Sequence, residues 1–179
     1  MGRLIYYTAM SLDGYVATRE HELSWLLSRD SDPDGPLGYS GFEQGVGAIV
    51  MGRRTYEWLV DTMLPDAEWP YRQPCWVLSS RPVEPGRFTG ADIRAASASA
   101  EDVVTQMRTA AGDRDVWCLG GGQTATWLHA AGLLDEVWVS IAPVLLGDGI
   151  PVISDHVELE LVDVDRNRDF AVCRYRVSR

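Results

Sequence analysis

The sequence predicts one α/β domain built on a mostly parallel sheet with an antiparallel edge. Apolar runs of strand length alternate with helical patterns through most of the chain. Several of those runs end in glycine-rich or hydroxyl-rich turns that open a helix. The chain then closes on two alternating segments, 157–164 and 170–177, which read as a terminal antiparallel hairpin. A length of 179 residues suits a single domain, 1–179.

Each element follows in order. Residues 3–9 form a strand rich in β-formers, and 10–14 (Met-Ser-Leu-Asp-Gly) a turn, with 15–17 extending briefly. Leu23, Trp25, Leu26 and Leu27 suit a short helix over 20–28. Residues 29–41 carry Pro33, Gly35, Pro36 and Gly38 and read as a long polar loop. An apolar run from Val46 reaches Gly52, and Arg53, Arg54 and Thr55 then open a helix running from Thr55 to about Val60. Residues 61–73, with Pro65 and Pro70, are irregular. A buried strand over 74–78 ends in Ser79-Ser80-Arg81-Pro82, and a short strand at 91–95 follows a turn at Pro85-Gly86. Ser99 with Asp102 caps a helix whose face is Val103, Val104 and Met107 and whose stop is Gly112. A strand at 115–119 runs into Gly120-Gly121-Gly122-Gln123-Thr124, which opens a helix through Ala131. The strand 136–142 and a loop, 143–151, complete the series.

A formal net charge of -10 argues against nucleic acid or an anionic membrane surface as the main partner. Against that background, local arginine clusters are informative. Cys75, Cys118 and Cys173 sit in apolar strand-like runs without metal-type spacing, as buried reduced thiols do. No apolar run is long enough to span a bilayer, and the N-terminus starts a strand directly, so the cytoplasm is the expected compartment. His21, His129 and His156 lack partners at metal-ligand spacing, and no metal is expected.

In open α/β sheets ligands bind beyond the carboxyl ends of the strands. Three strand ends here suit anions. The first is Gly52-Arg53-Arg54-Thr55, where cationic side chains stand at a helix start that by itself favours anions. A phosphate removes that conflict; solvation of the arginines, or pairing with Glu57, is the alternative. The second is Ser79-Ser80-Arg81, following Leu78, whose bland reading is a plain turn. The third is Gly120-Gly121-Gly122-Gln123-Thr124, bare backbone at a helix start. Together they suit a dinucleotide carrying an extra phosphate, NADPH rather than NADH. A Rossmann reading of the glycines fails, because the acids at Asp135 and Glu136 stand at the start of the next strand rather than its end.

Met51 to Glu57, Leu78 to Pro82 and Leu119 to Gly122 resemble, in order and spacing, the cofactor-binding segments of dihydrofolate reductases. Ser11-Leu12-Asp13-Gly14 and the segment Pro143 to Gly149 look more like the C-terminal reductase domain of the bifunctional riboflavin-biosynthesis deaminase-reductase and its free-standing relatives. The resemblance covers nearly the whole chain; the zinc signature of the deaminase half is absent. It implies a dihydrofolate reductase-like fold with a twisted, mostly parallel eight-stranded sheet, NADPH across the strand ends, and reduction of a pteridine- or pyrimidine-like ring. It implies further that Arg53, Arg54 and Thr55 hold the phosphates, with Ser79, Ser80 and Arg81 around the 2′-phosphate. Gly121 and Gly122 would lie against the pyrophosphate and nicotinamide, with an unusual peptide geometry between neighbouring glycines. Ala9 would meet the nicotinamide through its backbone.

The proton donor has two candidates. Glu22-Leu23-Ser24-Trp25-Leu26 is similar to the acid-bearing helix of dihydrofolate reductases, with Ser140 matching the strand threonine that accompanies that acid. Glu22 could equally be a solvated carboxylate beside Glu20. Asp13 is the other candidate, against a plain turn role beside Gly14. A bound water is the third possibility. Trp25, Tyr56 and Trp58 could line a ring-shaped pocket or simply pack in the core, and Ser11 falls on the substrate side. The expectation is an NADPH-dependent reductase of the riboflavin-pathway type, most like 5-amino-6-(5-phosphoribosylamino)uracil reductase, acting on a small molecule as a homodimer. A true dihydrofolate reductase, whose Pro-Trp loop pattern is missing between Gly14 and Glu20, and a non-catalytic nucleotide sensor are the alternatives.

Overall fold

A computed structural model describes residues 2–64, 66–83, 88 and 90–178; Pro65 and the turn expected at Pro85-Gly86 lie outside them. The strands are β1 (Leu4–Ser11), β2 (Tyr15–Ala17), β3 (Val46–Gly52), β4 (Cys75–Leu78), β5 (Ile93–Ala96), β6 (Asp115–Gly120), β7 (Glu136–Ala142), β8 (Ile150–Pro151), β9 (Leu159–Asn167) and β10 (Phe170–Val177). The helices are α1 (Ser24–Leu27), α2 (Tyr39–Gln44), α3 (Arg53–Trp58), α4 (Ala100–Ala111) and α5 (Gly122–Ala130). Eight strands form one sheet in the order β5-β4-β3-β6-β1-β7-β10-β9, while β2 and β8 make a small separate pair. The six strands from β5 to β7 run parallel, and β10 is antiparallel to both its neighbours, the α/β architecture with an antiparallel edge that the pattern predicts.

Alternation along the strands gives the sheet two apolar faces. One packs Tyr6, Val50, Val116, Cys118 and Val137 under α4 and α5, through Val103, Val104, Met107, Ala125 and Leu128. The other packs Ile5, Ile49, Met51, Val77 and Trp117 under α2 and α3, through Phe42, Tyr56 and Leu59. On this second face the rings of Tyr7 and Phe42 stack with centroids 4.2 Å apart, and Trp117 meets Phe42 edge-on at 5.4 Å. The cap expected at Ser99 forms: its hydroxyl accepts from the Asp102 N–H at 3.2 Å, and Gly112, at φ 65, ends α4.

Several boundaries move. The helix expected over 20–28 is reduced to the single turn of α1. Thr18 N–H donates to the Glu22 carbonyl, His21 N–H to the Thr18 carbonyl, and Glu22 N–H to the Thr18 hydroxyl at 3.1 Å, so these residues close a loop instead. The first strand continues through Met10 and Ser11, which pair with Ile141 and Ala142, so the turn shortens. Residues 29–41 are less open than their composition suggests, since α2 begins within them. Asn167, buried in the hairpin, also accepts from the Asp32 N–H at 2.8 Å and donates to the carbonyls of Asp32 and Pro36. The helix after β3 starts at Arg53 rather than Thr55 and runs on into a wider π-helical turn, Leu59–Met63, inside the stretch expected to be irregular.

At the amino ends of the parallel strands an ionic network closes the base of the sheet. Glu136, 4 % exposed, accepts two bonds of 2.9 Å from Arg174, bonds of 3.1 and 3.2 Å from Arg3, and one of 2.8 Å from the Trp138 indole. Arg3 also pairs with Asp115 at 2.6 Å, Arg108 with Asp135 at 3.3 Å, and Arg176 with Glu160 at 2.8 Å. Burial opposes the charge on Glu136, but the hydrogen bonds from Arg174 and Trp138 and the charge of Arg3 outweigh it and hold the carboxyl below its ordinary range.

Candidate functional site

The strand order creates a crevice at the opposite, carboxyl end. The connection from β3 leads outward to β4 through α3 on one face, whereas that from β6 leads inward through α5 on the other. Because β3 and β6 are neighbours, the starts of α3 and α5 diverge at a topological switch point, where α/β sheets take ligands. The two turns face each other closely. A Cβ added to Gly52 would lie 3.0 Å from the Thr124 hydroxyl, and one added to Gly120 or Gly121 would lie 3.9 or 3.7 Å from the Thr55 hydroxyl. Gly52 is thus small because Thr124, itself buried, fills the space beside it. The peptide between Gly120 and Gly121 is cis, the unusual geometry that the resemblance implies. Gly122 has a different reason for being glycine: a Cβ there would lie 2.1 Å from the Pro151 carbonyl oxygen, so main chain presses on it.

The arginines at this rim play different parts. Arg53 is a strut: its Nε donates to Glu57 at 2.7 Å, and its Nη1 donates to the Ser79 hydroxyl at 2.8 Å and to the Pro82 carbonyl at 3.1 Å. Ser79 in turn donates to the Arg81 carbonyl and accepts from the Arg81 N–H, so β3's turn and β4's turn are one unit. Of the alternatives left open in the sequence, the pairing of Arg53 with Glu57 forms, and the same guanidinium orders the serine loop. Ser80 and Arg81 are exposed beside it. Arg54, also exposed, meets the His21 imidazole, with Nη1 3.1 Å from Nε2. A guanidinium can only donate, so His21 accepts in this contact. Gln123 is exposed at the start of α5.

Beside the crevice, Ala9 on β1 pairs in register with Ser140 on β7, and Ser11 with Ala142, which gives a floor of small side chains on the face that carries Tyr7. Trp25 and Leu26 border it, packed on Ala142, Phe170 and Val172. Tyr56 lies in the core against Trp69, ring centroids 5.9 Å apart, and its phenol is pushed up by burial. Glu22 is exposed, its carbonyl accepting from the Trp25 indole. Asp13 is exposed yet fully engaged: the Ser11 hydroxyl, then the N–H groups of Gly147 and Leu146, hold its carboxyl below the ordinary range. What sequence reasoning missed is His21, passed over for want of a metal-type partner; its neighbour comes from a segment far along the chain. The link between Arg19 and Asp148 has the same cause.

A family model, the RibD C-terminal domain, matches residues 3–169. The chain belongs to that family. Among curated proteins, the uncharacterized YwjB of Bacillus subtilis (strain 168) is 28% identical over 151 residues, covering 84% of this chain and 82% of its own. YyaP of the same strain, also uncharacterized, is 27% identical over 169 residues, covering 90% and 87%. Among solved structures, a protein of Shewanella sp. PV-4 named for riboflavin biosynthesis superposes with TM-score 0.83 at 25% identity, each chain covered completely. RibD of Acinetobacter baumannii gives TM-score 0.68 at 15% identity, with 99% of this chain against 58% of that one. The fold of this RibD-type chain is therefore that of the RibD reductase domains, dihydrofolate reductase-like. No helix among the described residues is long and apolar enough to cross a membrane.

Proposed function

We propose that this RibD-type domain is an NADPH-dependent reductase of a pyrimidine- or pteridine-like ring, most like 5-amino-6-(5-phosphoribosylamino)uracil reductase. The observation that carries the reading is the crevice at the β3–β6 switch point, where two diverging helix starts, bare glycine backbone and three arginines meet on an acidic molecule. The residues present suit a dinucleotide phosphate. Arg54, Thr55, the backbone at Gly120 to Gly122, Gln123 and Thr124 would hold the pyrophosphate. Ser79, Ser80 and Arg81, ordered by Arg53, would hold the 2′-phosphate, and Ala9 with Ser140 would floor the nicotinamide and substrate rings. When bound, NADPH supplies the hydride. The protein's part is to orient the two rings over that floor and, with Trp25, to exclude water.

The domain works, on this reading, in a reducing cytoplasm, which its three free and buried cysteines suit. Its partner is a second copy packed on the outer hairpin, where Leu161 and Val164 are 54 % and 57 % exposed. Sedimentation should then show a dimer that Leu161→Glu converts to monomer. The principal test is a fluorescence titration with NADPH and NADH, followed by oxidation assays with the ribosylaminouracil phosphate and with dihydrofolate. Preference for NADPH is expected, with NADPH affinity falling about 100-fold or more when Arg53 and Arg54 are both replaced by alanine, because Arg54 would contact the phosphates and Arg53 orders the serine turn. No preference for NADPH would remove the assignment.

A further inference from the structure

Asp13 stands where distant segments cross. Its Oδ1 accepts from the Ser11 hydroxyl at 2.6 Å and from the Leu146 N–H at 3.1 Å, while Oδ2 accepts from the Gly147 N–H at 2.7 Å. Ser11, completely buried, also accepts from the Tyr15 N–H at 3.0 Å, so the carboxylate is fixed from beneath. Main-chain bonds from Leu12 to Val144 and from Val152 to Gly14 flank it, and β2 pairs with β8 just beyond. Residues 143–153 are thereby drawn across the end of β1 as a strap.

The strap ends on the crevice. The carbonyl oxygens of Pro151 and Val152 would stand 2.1 and 2.9 Å from a Cβ on Gly122, and the Ser154 N–H donates to Thr126 of α5 at 3.0 Å. That contact is backbone against backbone, with no flexible side chain to absorb a displacement. A shift of the strap at Asp13 therefore reaches the glycine turn. Arg19 with Asp148 is the strap's other ionic tie, and both of those side chains are more than half exposed.

We infer that Asp13 is a positioning residue: it fastens the strap 143–153, and through it the seat of the Gly120–Gly122 turn, and it is not the proton donor. The inference rests on the reading of that turn as the coenzyme site. Three donors converge on the carboxylate, two of them main-chain N–H groups that cannot reverse their role. Protonating Asp13 would turn the Ser11 hydroxyl from donor to acceptor and weaken the charge-assisted bonds from Leu146 and Gly147, which loosens the strap. A group with that task is needed in its ionised form throughout.

The test measures NADPH affinity by fluorescence titration for the unaltered protein, Asp13→Asn, Asp13→Ala and Ser11→Ala. Asp13→Ala should weaken NADPH about tenfold, the size of one charged hydrogen bond. Asp13→Asn, whose amide oxygen still accepts from one main-chain N–H while its NH2 group faces the other, should recover only part of the loss, and Ser11→Ala should weaken binding about threefold. Should Asp13→Ala fail to fold, the other two variants decide. Unchanged affinity in the folded variants overturns the inference and leaves the coenzyme reading standing. So does an Asp13→Asn protein that binds NADPH normally but has lost turnover, which makes Asp13 the acid. No NADPH binding by the unaltered protein overturns both.

Discussion

The two ends of the parallel strands treat arginine in opposite ways. At the base, Arg3, Arg108, Arg174 and Arg176 each face a carboxylate, and Glu136 is enclosed by two guanidinium groups and an indole. At the rim, Arg54 meets an imidazole, and among the described residues no carboxylate pairs with Arg54 or Arg81. The chain has 26 acidic residues against 16 basic ones, so unpaired cations at one end are not for want of partners. The base uses charge to join strands; on the proposed reading, the rim keeps charge available to a ligand. Arg53 stands between the two, tied to Glu57 yet serving the serine turn.

The largest effect that would sharpen this contrast is a split between neighbouring arginines. Arg54→Ala should weaken NADPH and NADH alike by about tenfold, because on the proposed reading it removes a contact to the shared pyrophosphate. Arg53→Ala should act mainly on NADPH and so narrow the preference between the two coenzymes. Paired titrations read both outcomes, and equal effects of the two substitutions would break the distinction between strut and ligand. At the base, Glu136→Ala should destabilise the fold by about 2–3 kcal/mol, less than a fully buried pair costs because Arg3 and Arg174 are part-exposed. Urea unfolding measures it, with NADPH affinity unchanged.

A pH series separates the ends further. The Glu136 carboxyl is depressed on folding, so its contribution is complete above its ordinary value of 4.5 and is lost as the pH falls through the lower folded value. The stability gap between the unaltered protein and Glu136→Gln should therefore close below about pH 4.5. Urea midpoints across pH 3–7 check this, and a gap that persists at the acid end would show that shape rather than charge holds the base. The smallest effect is expected at His21, whose replacement by alanine should weaken NADPH only about threefold, as befits a single solvent-exposed contact. A larger loss in the same titration would move His21 into the coenzyme site itself.

Much of this was readable in the chain because it is local. The apolar run ending at Gly52, the Ser99 cap and the glycine turn after β6 are each encoded within a few residues, and each forms. The order of strand-end signals was enough to place the crevice. What was hidden depends on partners far along the chain. The pattern around Leu23 and Leu26 promised a longer helix, but Thr18 captures the donors that would have begun it. Gly52 and Gly122 both read as ligand-facing, but their close neighbours within the fold, the Thr124 hydroxyl and the Pro151 carbonyl, come from elsewhere in the chain. Asp13 suited acid catalysis or a turn, and the approach of Leu146 and Gly147, which supports a positioning role, could not be read from its neighbours.

Asn167 belongs to the last hairpin, yet its amide also binds Asp32 and Pro36, well over a hundred residues earlier. During synthesis those bonds must wait until the hairpin itself has left the ribosome. The packing of Trp25, which rests on Phe170 and Val172 of that hairpin, is therefore among the last parts to set.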